Sequence, residues 1–69
     1  MLKEYFANNI RMQRELRRWS QETAAEFCGL SARYWGKLER GAAVASIDTL
    51  EKVSLGLQVE AGELLKDRS

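Results

Sequence analysis

The sequence predicts a single, wholly α-helical domain. Three observations carry that expectation. The 69 residues include no proline, the apolar residues recur three and four positions apart, and no run alternates Val, Ile or Thr with polar residues as a half-buried strand would. A chain this short hides only about 60% of the surface its unfolded form exposes. Its core contributes ~3–5 kcal/mol, so it needs a second support from a disulfide, a metal, close helix packing or self-association. One cysteine and no histidine leave neither an internal disulfide nor a Cys/His zinc set. Helix packing and self-association remain, and no cofactor or metal is expected.

Five helices follow in order, at about 2–17, 21–28, 32–40, 47–56 and 61–66, in one domain over 1–69. In the first, Leu2, Phe6 and Ile10 share a face while Arg, Lys and Glu cover the rest. Ser20 suits the N-cap of the second, because its hydroxyl can accept from an otherwise unpaired backbone N–H, and Glu22 suits the positive helix end. Gly29 ends it, since glycine takes the left-handed conformation wanted just past a helix without steric cost. Ser31 caps the third helix, which Gly41 ends in the same way. A loop of small residues, Ala42 to Ala45, leads to the cap Ser46 and a fourth helix with Ile47, Leu50, Val53 and Leu57 expected to face inward. The fifth is short and carries Leu64 and Leu65.

The net charge of +1 is modest, but it is unevenly placed: residues 1–41 carry eight basic against five acidic side chains, and residues 42–69 three against five. One end of the molecule can therefore face an anion, although such imbalance also arises as ordinary surface variation. No apolar run approaches the ~20 residues that cross a bilayer, and the start lacks a secretory stretch, so no membrane partner and a cytoplasmic location are expected.

Between Gln21 and Arg40 the apolar residues fall where two helices crossing over a short turn need them. Ala25 is small enough for close approach, and Cys28, Leu30, Trp35 and Leu38 point into the junction. Cys28 reads as a small core residue rather than a redox sensor. Trp19 and Trp35 read as core. Opposite Trp35 and Leu38, the third helix presents Arg33, Lys37 and Arg40 at i, i+4 and i+7. By itself such a stripe is more often a solvated face. On the second helix of a helix-turn-helix it becomes a candidate for the major groove of DNA, where arginine donates two hydrogen bonds to guanine O6 and N7. Ala32 and Gly36 on this side are small enough to let bases come close.

These residues resemble the Cro and phage-repressor family of helix-turn-helix domains, also called XRE or lambda-repressor-like. The resemblance runs from about Asn9 to Leu65 and rests on Ile10-Arg11 with Arg14, Ser20-Gln21, Ala25, Gly29-Leu30-Ser31, Leu38-Glu39-Arg40-Gly41, Ser46, Leu50, Leu57, Val59 and Glu63-Leu64-Leu65. It implies a compact five-helix fold and double-stranded DNA as partner. It also implies base reading by Ala32, Arg33 and Lys37, backbone contacts by Gln21, Ser31, Tyr34 and Arg40, and an ion pair between Arg14 and Glu39. Tyr34 is expected to keep its hydroxyl free for phosphate or water. Four departures stand out: Ala42-Ala43 where relatives are often basic, Val44-Ala45 where Asn-Pro is common, Gln13 at a usually apolar position, and Ala32 where a side chain often hydrogen-bonds a base.

One short helix makes too few contacts for selectivity, so a homodimer on a pseudo-palindromic operator is expected, with Val59, Leu64 and Leu65 as candidates for the dimer surface. The competing class is a protein-interaction module of the same fold, an antitoxin or anti-regulator with a protein partner. An enzyme is not expected: no histidine, paired carboxylates or phosphate-cradling glycine loop is present.

Overall fold

In the computed structural model, which describes residues 1–68, the chain forms α1 (Leu2–Leu16), α2 (Gln21–Phe27), α3 (Ala32–Glu39), α4 (Ile47–Leu57) and α5 (Ala61–Leu64). Every expected helix is present, and the boundaries shift by one or two residues. The start of each central helix follows from its serine. The hydroxyls of Ser20, Ser31 and Ser46 accept the backbone N–H of Thr23, Tyr34 and Thr49, three residues on, at 3.0, 3.1 and 3.1 Å. At the other ends, Gly29 and Gly41 take φ of +69° and +68°, where a Cβ would crowd the following carbonyl.

The helices wrap one core of Phe6, Ile10, Ala24, Ala25, Cys28, Trp35, Leu38, Val53, Leu57 and Leu64. Helix α3 packs on α1 and α2, α2 leans on α4, and α5 closes the base against α1 and α4. Trp35 is fully buried at the centre. Trp19 is half-buried, packs against this core, and stacks on Phe27 with ring centroids 4.4 Å apart. Gln13, polar where an apolar residue was the rule, accepts from Arg17 Nη1 at 2.7 Å, and Arg17 Nη2 donates to the Leu57 carbonyl at 2.6 Å. The substituted position thus helps hold the end of α1 to the end of α4.

Three expectations about the apolar residues need correction. Ile47 is 81% exposed. It sits ~120° around α4 from Val53, and Thr49, whose backbone N–H is capped by Ser46, takes the inward place in that turn. Leu2 is 61% exposed, because the first turn of α1 runs past the edge of the core. Leu64 is completely buried and has no surface to give a second subunit. Of the other two dimer candidates, Val59 and Leu65 are half-buried and pack on the core.

Candidate nucleic-acid interface

Helix α3 is divided lengthwise. Trp35, Leu38 and Glu39 are 0, 1 and 6% exposed, which fixes its rotation. Arg33 and Arg40 are left exposed and Lys37 half-exposed. Among the described residues, none of these three cations is held in an ion pair or hydrogen bond. Their charge is available to an outside anion, and the expected basic stripe stands where the periodicity placed it. Ala32 differs slightly, being half-buried against the core, so only part of its methyl group faces outward.

The angle of α3 is set by a buried carboxylate. Glu39 receives Arg14 Nε on Oε2 at 2.6 Å and Arg14 Nη2 on Oε1 at 3.1 Å, a two-pronged pair between α1 and α3. Gln21 Nε2 donates to Oε1 at 3.1 Å, and Trp35 Nε1 donates to Oε2. Three helices therefore converge on one side chain. Burial pushes the Glu39 carboxyl up, but hydrogen bonds from Arg14, Gln21 and Trp35 outweigh it and hold the group below its ordinary value. The expected Arg14–Glu39 pair is present, with side-chain exposures of 17 and 4%. The Trp35 and Gln21 contributions were missed. A tryptophan four residues before a glutamate on one helix was the available signal for the first, since such side chains meet.

Among the expected backbone-contacting residues, Ser31 spends its hydroxyl oxygen on the α3 cap and remains exposed. Gln21 gives one amide N–H to Glu39 and keeps the second. The Tyr34 hydroxyl lies 3.3 Å from Thr49 Oγ1, where either oxygen can donate. That contact ties α3 to α4 and takes up one of the hydroxyl's hydrogen-bonding positions. Gly36 is not open as expected. It is buried, with Arg40 and Gln21 reaching over it. In the α2–α3 corner, Ala25, Cys28, Trp35 and Leu38 are buried and Leu30 half-buried. Burial pushes the Cys28 thiol up to about 11, so it stays protonated and uncharged at neutral pH.

An all-helical domain in which α2 and α3 pack across a short turn, α3 turning outward a basic face that has no partner among the described residues, is a DNA-binding module of the XRE-like kind. The chain belongs to the helix-turn-helix domain family, whose model matches residues 6–66. It is 36% identical over 64 residues to a hypothetical transcription factor from Neisseria meningitidis serogroup B, covering 93% of this chain and 60% of that protein. The chain thus spans rather more than half the length of that relative. The crystal structure of the hypothetical transcription factor NHTF from Neisseria superposes with a TM-score of 0.92 at 34% identity, over 99% of this chain and 78% of that one. The restriction-modification controller protein C.AhdI from Aeromonas hydrophila gives 0.84 at 34% identity, over 90% and 94% of the two chains. An HTH_3 family transcriptional regulator from Vibrio cholerae gives 0.87 at 31% identity, over 93% of this chain and 36% of that one.

Proposed function

We propose that the protein is a sequence-specific transcriptional regulator whose α3 enters the major groove, two copies together engaging a pseudo-palindromic operator. The observation that carries this reading is the division of α3: its inner side is locked by Trp35, Leu38 and Glu39, and its outer cations have no partner among the described residues. Arg33 and Lys37 read base edges, while Gln21, Ser31 and Arg40 hold the phosphates on either side. Selection of bound duplexes from random DNA tests this directly and should return two related half-sites about one helical turn apart. On the selected site, Arg33→Ala should cost ~1–3 kcal/mol at one base pair and relax preference there. A loss shared equally by all duplexes would remove base reading from Arg33.

The dimer surface in this proposal keeps only Leu65 of the three residues the sequence suggested. Leu2, Val44, Ile47 and Leu55 are 61, 73, 81 and 72% exposed. Leu2, Val44 and Ile47 join half-buried Leu50 and Leu65 along an apolar groove between α1, the α3–α4 loop and α4, and Leu55 lines an adjoining depression that shares Ile47 and Leu50 with it. Because α3's outer face is not part of this groove, a second copy can sit here while both reading helices stay open. The same exposed apolar surface is the observation that favours the other reading, a module that binds a different protein. The two separate by salt. Phosphate binding weakens with a log–log slope of roughly −0.9 per neutralised phosphate, whereas apolar docking of a protein responds weakly to salt.

A further inference from the structure

We infer that Gly36 is a positioning residue for phosphate binding: its missing side chain leaves a slot that the Arg40 guanidinium and the Gln21 amide both border, so that the two can address one phosphate. The inference rests on the proposal that α3 faces DNA. It adds a residue that contributes no side chain of its own.

The slot follows from helix geometry. Side chains on a helix tilt toward its N-terminus, so a residue leans over the position four before it. Arg40 thus leans over residue 36. A Cβ built on Gly36 would stand 3.1 Å from Arg40 Nη1 and 3.6 Å from Gln21 Oε1. Both side chains therefore converge on the space that glycine leaves. Gln21 does not swing freely, because Glu39 Oε1 takes one of its amide N–H groups and Glu39 is anchored by Arg14 and Trp35. Its second amide N–H is left for an outside acceptor. Arg40, exposed and unpaired among the described residues, supplies positive charge at the same slot, which the Gln21 amide borders through its oxygen. A Cβ at 36 would stand 3.1 Å from Arg40 Nη1 and push the guanidinium outward from the slot, so that Arg40 and Gln21 would no longer address the same phosphate.

Glycine in a helix interior costs stability relative to alanine, and the atom nearest the slot is the far end of a flexible arginine. Gly36→Ala should therefore fold, and its melting temperature should equal or exceed the parent's. With a mixed-sequence duplex of about 30 base pairs as probe, the parent, Gly36→Ala, Arg40→Gln and the double variant are compared by titration at several salt concentrations. Gly36→Ala should bind roughly three- to tenfold more weakly at low salt, with a log–log salt slope shallower by about 0.9, the loss of one phosphate. Arg40→Gln should lose a similar amount, and Gly36→Ala should cost nothing further in that background. Undiminished affinity and slope for Gly36→Ala would overturn the inference. So would a loss that persists in the Arg40→Gln background, which would mean that the new methyl obstructs the duplex itself, or a clear fall in melting temperature. If the parent's own binding is absent or insensitive to salt, the DNA reading fails first, and that is visible before any variant is compared.

Discussion

Glu39 shows how one side chain can determine the orientation of a reading helix. A carboxylate at this depth is costly unless paired and hydrogen-bonded. Four N–H groups from α1, α2 and α3 supply that compensation. Removing one partner strands the charge, so Arg14→Met should cost about 3 kcal/mol at neutral pH. The sign of its pH dependence follows from the depressed folded value. The stabilisation is complete above the ordinary carboxylate value of 4.5 and is lost as pH falls through the lower value in the folded protein. Urea unfolding at a series of pH values should therefore show the parent and Arg14→Met converging in acid. A constant gap would mean that the arginine acts by packing alone.

At the scale of the helices, two glycines make opposite use of a missing Cβ. Gly36 in α3 borders a flexible side chain. Gly56 in α4 borders the buried Cys28 side chain and the backbone of α2's end: a Cβ there would lie 2.6 Å from Cys28 Sγ, 2.7 Å from the Phe27 carbonyl oxygen and 2.8 Å from Cys28 Cα. Neither α2 nor α4 can yield locally, so Gly56→Ala should destabilise by ~1–3 kcal/mol through overcrowding, despite the better helix propensity of alanine. A melting temperature at or above the parent's would show that α2 and α4 can slide apart at no cost. The caps are simpler. Ser31→Ala frees the Tyr34 N–H at the start of the reading helix and should cost ~1 kcal/mol in urea unfolding.

For the whole molecule, the exposed apolar groove sets the terms. A small core leaves little stability in reserve, and burying Leu2, Val44, Ile47 and Leu55 against a second copy would add to it. Stability should then rise with protein concentration, because self-association favours the folded state by mass action. Ile47→Glu should leave the isolated domain folded, since residue 47 is already exposed. It should abolish the concentration dependence of the melting temperature and weaken binding to a full operator much more than to a half-site. Equal loss on both would place Ile47 outside the dimer surface.

The helices, their serine caps, their glycine ends and the basic side of α3 were legible in the residues, because each depends on neighbours within about one helical turn. The Arg14–Glu39 pair was legible only through family resemblance, since its members stand on different helices. The exposure of Ile47, the complete burial of Leu64, the contact of the Tyr34 hydroxyl with Thr49 and the covering of Gly36 were not legible by either route. Periodicity says that a helix has an apolar side, but where that side ends depends on which neighbouring helix covers it. Only the packing of α1, α4 and α5 around Trp35 decides which apolar residues stay dry and which remain open to a partner.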